Sequence, residues 1–258
     1  FYWFMMISNE IISSKYHSAV LHLPMNDLTT TAKAYKYDGN NSKELITASE
    51  VTSTSLVISR EGLAGNCFTF DGTARIIIVD DGDYTQPTDA MSLVAHFTCG
   101  SVSATRYICS EYGSYKIWID TSGNINAAAT PVSGTEVVLK SSTVVVTDDE
   151  TPYCAILTFD TSLGQGNLKL FINGKLEDQS GIKTTNGSIN NWKTAANLAD
   201  GSKDFYVGAY DSDGNGTHNA GTYHNGKIEE VILYNTTIYP VVPQTGKEVI
   251  INPMQELT

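Results

Sequence analysis

The chain predicts an all-β fold, a two-sheet antiparallel β-sandwich, on three observations. Short apolar or alternating segments recur from Ser18 to Tyr239, Gly, Asn and Asp punctuate them, and no stretch shows the periodicity of an amphipathic helix. About a dozen such segments in one domain imply two stacked sheets rather than one. Composition agrees, since 14 Tyr, 21 Gly and 41% hydrophobic residues in a chain of 258 are a β-and-turn palette in a length that can bury one large core.

In chain order, strands are expected near Ala19–Pro24, Cys67–Phe70, Ala74–Val79, Met91–Thr98, Arg106–Glu111, Tyr115–Asp120, Glu136–Leu139, Thr143–Val146, Tyr153–Phe159, Leu168–Ile172, Phe205–Ala209 and Lys227–Tyr234. The clearest is Met91–Thr98: Met91, Leu93, Ala95, Phe97 and Cys99 alternate with Ser92, Val94, His96 and Thr98, so one face is apolar and the other mostly polar. Such a strand buries one face. Asp71-Gly72, Ser122-Gly123-Asn124, Asn173-Gly174 and Asn225-Gly226 supply residues that tolerate the positive φ of tight turns, and each is expected to join two strands. Asp27–Gly65 and Glu177–Asp204 read as long surface loops, a length that is uncommon unless functional. The resulting organisation is an apolar N-terminal arm over 1–17, the sandwich over 18–240, and a Pro-containing C-terminal arm or linker over 241–258.

Charge and cysteine usage narrow the function. Sixteen basic against 28 acidic residues leave a net charge of -12, and that field repels a phosphate backbone, so no nucleic-acid partner is expected. No apolar run approaches the ~18–20 residues of a membrane helix. Cys67, Cys99, Cys109 and Cys154 form no C-x-x-C and are either buried thiols or a disulfide framework. The sequons at Asn40, Asn186, Asn215 and Asn235 fit a protein displayed outside a cell.

Several segments, taken in order, resemble a known family. Ala19–Asn26 looks like its first strand, Gly65-Asn66-Cys67-Phe68-Thr69-Phe70-Asp71-Gly72 like its G-x-x-x-x-F-D-G step, and Asn167–Leu176 like its strand and N-G hairpin. Phe205-Tyr206-Val207-Gly208 and Gly226–Asn235 then match its last two strands. The pattern from Ala19 to Asn235 resembles the laminin G-like domains of the concanavalin A-like lectin and glucanase superfamily. The resemblance implies a jelly roll, used in that superfamily by sugar-binding modules, adhesion domains and some glycosidases. His96 and Tyr153 depart from its usual Trp positions, and Glu229 from its Asp.

The chemistry of catalysis is sparse. A retaining glycosidase on this scaffold needs carboxylates about 5–5.5 Å apart on one strand face, as in E-x-D-x-E, and that string is absent. Asp148 and Glu150 have the spacing but stand beside Pro152, where a turn is expected. No nucleophile-elbow, zinc-protease, Walker or dinucleotide motif occurs, so an enzyme is not expected. Asp211-Ser212-Asp213-Gly214-Asn215-Gly216 brings oxygen donors at Asp211, Asp213 and Asn215, so the string reads either as an Asp/Gly-rich hairpin loop or as a site for calcium as a cofactor. A second oxygen set could form from Asp27 with Glu229 or Glu230 if the terminal strands are neighbours. Sugar binding needs aromatic faces and planar polar groups, which the segment after Phe205 offers at Tyr210, His218, Tyr223 and His224, with Trp192 on the loop before it. Trp118 is expected to serve packing.

The expected function is therefore a non-catalytic recognition module, extracellular or on the surface of a cell or virion, binding a glycan or a cell-surface protein. A structural subunit of a surface assembly such as a capsid or tail, with homo-oligomers held through the terminal arms, is the alternative.

Overall fold

The computed structural model describes residues 19–24, 34–37, 43–46, 48–51, 57–59, 67–73, 76–79, 85–87, 89–132, 135–163, 166–180, 203–212 and 221–240. Both terminal arms fall outside them. Seventeen strands occur in this order: β1 (Ala19–Pro24), β2 (Ala34–Tyr37), β3 (Lys43–Ile46), β4 (Ala48–Val51), β5 (Val57–Ser59), β6 (Cys67–Asp71), β7 (Ile76–Val79), β8 (Ala90–Phe97), β9 (Arg106–Glu111), β10 (Tyr115–Ile119), β11 (Asn124–Ala129), β12 (Val137–Val144), β13 (Tyr153–Asp160), β14 (Leu168–Ile172), β15 (Lys175–Gln179), β16 (Phe205–Val207) and β17 (Asn225–Tyr234). Among the described residues there is no α-helix, and none long and apolar enough to cross a membrane.

Two antiparallel sheets form a sandwich. The ten-stranded sheet A runs β15-β14-β13-β8-β17-β1-β2-β3, with β6 also on β17 and β5 on β6, and the seven-stranded sheet B runs β12-β11-β10-β9-β16-β7-β4. The alternation expected of β8 decides which faces meet: Met91, Leu93 and Ala95 are fully buried, beside Leu157 and Phe159 of β13 and Val231 and Leu233 of β17. They form one continuous core with Ile77, Ile108, Ile117, Ile125 and Phe205 of sheet B. Each fully buried Leu, Ile, Val, Met or Phe among them contributes about 1.5–3 kcal/mol relative to exposure.

The structure departs from the sequence expectation in four places. The Asp27–Gly65 stretch is not a loop: it carries β2, β3, β4 and β5, each only three or four residues long. Asn124–Ala129 and Lys175–Gln179 are strands although Ala, Asn, Lys and Glu disfavour extended structure, because both pair with a strong neighbour. Glu136–Leu139 and Thr143–Val146 merge into β12, whose pairing with β11 shifts register between Asn124 and Asn126. Asn225-Gly226 is not a hairpin turn but the start of β17, paired with Phe70 and Asp71 of β6. Asn173-Gly174 is the expected turn, with φ of 50° and 83°, and it links β14 to β15.

The edge strands of the two sheets meet on one side of the sandwich. There the Lys140 N–H of β12 donates to Asp178 Oδ2 of β15 at 2.9 Å, and the Ser142 N–H donates to Glu177 Oε2 at 2.8 Å.

Candidate functional site

The outer face of sheet B carries a track of aromatic rings. In β10, Tyr115, Ile117 and Ile119 point into the core, so Lys116 and Trp118 point out. The register sets Trp118 opposite Tyr107 of β9 and Asn126 of β11, and Asn126 opposite Lys140 of β12. A register shift between Ile117 and Trp118 lets two consecutive β9 residues, Ile108 and Cys109, reach the core while Tyr107 stays outside.

The rings are stacked. Tyr107 lies 4.7 Å from Tyr210 at an interplanar angle of 20°, and 6.1 Å from Trp118 at 30°. All three are half-buried. Lys116 Nζ sits 4.6 Å from the Tyr210 ring centre and 5.4 Å from that of Trp118, while pairing with Glu136 Oε2 at 2.6 Å. The cation is drawn to the ring faces and fixes their spacing. Burial works against its charge, but Glu136 raises its pKa, and burial also raises that of the Tyr107 hydroxyl. At the Trp118 end, Lys140 Nζ donates to Asp120 Oδ2 at 2.8 Å, and the Asn124 N–H to Asp120 Oδ1 at 3.0 Å. Although burial opposes it, Lys140 and Asn124 hold the Asp120 carboxyl down at about 2. The face thus offers phenol and indole rings beside a carboxylate, two lysine side chains and amides. Such a set can stack on the apolar face of a sugar ring and hydrogen-bond its hydroxyls.

Of the residues singled out from the sequence, Tyr210 belongs to this track. Tyr223 adjoins it through its backbone: it bridges Tyr107 in parallel, and its carbonyl accepts from Arg106 Nη1 at 2.9 Å. His224 does not belong. It is fully buried, 5.8 Å from the Phe70 ring and 6.2 Å from that of Phe97, and burial lowers its pKa to about 3. The expectation of a ligand-facing histidine is corrected: it is a neutral core residue. Trp192, His218, Asp213 and Asn215 lie outside the described residues. Asp211 is described and buried, at 1% exposure.

Other expectations resolve as follows. Asp148 caps a turn, accepting from the N–H groups of Glu150 and Thr151, in line with the turn read there. β1 and β17 are neighbours as expected, with Pro24 opposite Glu230, but Glu230 is bonded to His22. Asp27 lies outside the described residues. All four cysteines are buried free thiols, which settles the alternatives left open for them.

Sequence reasoning singled out neither Tyr107 nor Lys116, and it read Trp118 as a packing residue, which the stacking on Tyr107 across the two strands bears out. The available signal was the alternation in Tyr115–Ile119, which sets a Trp on the same face as a Lys, the side away from the core.

No protein-family model matches the chain, and no curated protein matches it in sequence. Solved structures do match it in fold. The binding domain of botulinum neurotoxin serotype D/C is similar with a TM-score of 0.55 at 13% identity, over 85% of this chain and 49% of that one. Domain 4 of AbnA, an extracellular arabinanase from Geobacillus stearothermophilus in complex with arabinotriose, is similar with a TM-score of 0.52 at 14% identity, over 84% of this chain and 92% of that one. A botulinum neurotoxin type C structure, of a toxin whose cell entry depends on two ganglioside molecules, gives 0.51 at 13% identity over 87% of this chain and 49% of that one. The chain thus spans about half the length of the toxin domains it matches. What it shares with all three is the two-sheet antiparallel β-sandwich.

Proposed function

We propose that the chain is a non-catalytic, extracellular recognition module that binds glycans through the outer face of sheet B. The observation that carries the reading is the Trp118–Tyr107–Tyr210 track with Lys116 seated over two of its rings. The fold is consistent with that use, since sandwiches of this shape occur in a domain solved with arabinotriose and in a toxin dependent on gangliosides. Its location and its lack of catalysis belong to the same proposal, as does calcium at Asp211, Asp213 and Asn215, which rests on their oxygen-rich spacing alone.

A glycan array followed by titration of the best hit tests the reading. Replacing Tyr210 or Trp118 with Ala removes stacking worth about 0.5–1.5 kcal/mol beyond simple burial, so affinity should fall by up to about tenfold per ring. Unchanged affinity in both folded variants would move the ligand to another surface.

A further inference from the structure

A second group of reactive side chains crosses the outer face of sheet A, on the other side of the molecule. The register sets Cys154 of β13 opposite His96 of β8, and His96 opposite Glu230 of β17. Side chains directly opposite on antiparallel strands have Cβ atoms about 4.5–5.5 Å apart. Glu230 Oε1 accepts from His22 Nε2 of β1 at 2.7 Å, and Glu230 Oε2 lies 3.5 Å from His96 Nδ1. His96 stands between the thiol on one neighbouring strand and the carboxylate on the other. Thiol, imidazole and carboxylate therefore follow one another in the order of nucleophile, base and orienting group.

We infer that Cys154, His96 and Glu230 form an activated nucleophile that takes soft electrophiles, above all low-molecular-weight disulfides. Access favours Cys154 over the other cysteines: Cys67, Cys99 and Cys109 are fully buried in the core, whereas Cys154 keeps 8% exposure on the outer face, next to side chains of His96 and Glu230 that are 21% and 26% exposed. The thiol is held in place as well. The Cys154 N–H donates to Asn173 Oδ1 at 2.8 Å, and its carbonyl accepts from the Asn173 N–H at 2.9 Å, so the β14–β15 turn clamps the residue. Val94, Ile156, Phe171 and Ile232 lie on the same face and supply an apolar surround.

The charges support the arrangement. Burial works to lower the His96 pKa, but Cys154, by charge and hydrogen bond, and Glu230 raise it well above its ordinary value. Burial likewise opposes the Glu230 charge, yet His22 and His96 hold its carboxyl down at about 2. Among the described residues, the titratable groups facing His96 include Cys154 from β13, Glu230 from β17 and, through Glu230, His22 from β1. Lys169 of β14 is farther along the face, level with Thr158 and Ser92, with its ammonium 4.7 Å from the Tyr239 ring.

In the reaction the Cys154 proton passes to His96. The thiolate sulfur attacks one sulfur of R–S–S–R, the S–S bond breaks, and Cys154–S–S–R forms. The leaving RS⁻ carries off the electron pair and takes the proton back from His96. One disulfide replaces another, and no further oxidant is consumed.

The test treats the full chain with 2-hydroxyethyl disulfide, and separately with iodoacetamide, at pH 6 and pH 8, and locates adducts by peptide mass spectrometry. An ordinary thiol with a pKa of about 8.5 is only about 0.3% thiolate at pH 6. The expected result is one adduct, on Cys154, forming at pH 6 at least tenfold faster in the folded chain than in urea. Cys154→Ser should abolish it. His96→Gln should slow the pH 6 reaction at least tenfold and the pH 8 reaction much less, with Glu230→Gln between. A folded chain that reacts at pH 6 no faster than the unfolded one overturns the inference, as does an adduct on another cysteine. The comparison of folded with unfolded wild type needs no variant, so it stands even where a substitution impairs folding.

Discussion

Gly226 tests the fold at the point where it differs from its local sequence. Its φ is 142°, and a Cβ built there would overlap the Thr98 carbonyl oxygen and lie 2.9 Å from the Thr98 carbonyl carbon and 3.0 Å from Cys99 Cα. These neighbours are backbone and cannot rotate away. Gly226→Ala must therefore adopt a Gly-only conformation, at about 1–3 kcal/mol, and push β17 off the end of β8. That shift strains two hydrogen bonds, Thr98 N–H to Lys227 O at 2.9 Å and Lys227 N–H to Thr98 Oγ1 at 3.0 Å. At about 1 kcal/mol each, they bring the total to about 3–5 kcal/mol. In a domain of this size that is a drop of about 6–20 °C in Tm. Gly174→Ala is the control: its φ is 83°, but the nearest atom to a new Cβ is Pro240 Cβ at 3.9 Å, so only the left-handed penalty of about 1–2 kcal/mol applies. Urea denaturation of both variants and wild type measures the difference. If Gly226→Ala costs no more than Gly174→Ala, the close approach of β17 to Thr98 is wrong and Asn225-Gly226 is a turn after all.

Further outcomes are expected. His224 has a folded-state pKa of about 3 against the usual 6.5, so the unfolded chain binds its proton first and stability falls as pH drops below 6.5. Between pH 6.5 and 4.5 the loss is on the order of 3 kcal/mol, and urea midpoints for His224→Phe should lack it; equal slopes would place the acid sensitivity elsewhere. Glu230, depressed to about 2, contributes stability that is present above pH 4.5 and lost as pH falls from there towards 2, and Glu230→Gln should flatten that lower limb of the same curve. Tyr115→Phe deletes a buried hydroxyl that donates to the Thr85 carbonyl at 2.6 Å, and should cost about 1–2 kcal/mol in thermal denaturation with no change in glycan affinity. Millimolar Ca²⁺ should raise Tm in wild type, reversibly with chelator, and not in Asp213→Ala; a response preserved in the variant would remove the metal from Asp213.

The strands legible from sequence were those whose own residues favour extension. Ala19–Pro24, Arg106–Glu111 and Leu168–Ile172 occupy the expected bounds. Asn124–Ala129 was not legible, because its three consecutive alanines form a strand only between β10 and β12. The short strands of 34–59 are set by pairing to one another and to β1, β6 and β7, which no local window contains. The candidate site was half legible for the same reason. Tyr210 stands in an aromatic-rich segment and drew notice by itself. Trp118 and Tyr107 become a site only when the shifted register of β9 and β10 sets them side by side, a fact about two strands at once. His224 misled because a polar residue near Asn219 and Asn225 reads as exposed, while its burial comes from Phe70 and Phe97, far away in the chain.

The carboxylates of Asp178 and Glu177, bonded to the amides of residues 140 and 142, act as stoppers on sheet growth. A bare edge strand is a template for another chain, and β12 is sticky enough to serve, with Val138 39% and Val144 56% exposed. Yet two of its amides are already claimed by side chains of the opposite sheet, so an incoming strand must evict two charged acceptors before it can register. Hydrogen bonds from Lys175 and Ser142 outweigh burial and keep the Glu177 carboxyl below its ordinary pKa, which holds its stopper in place into mildly acidic conditions. Strand addition at β12 therefore carries the added cost of breaking both of these hydrogen bonds.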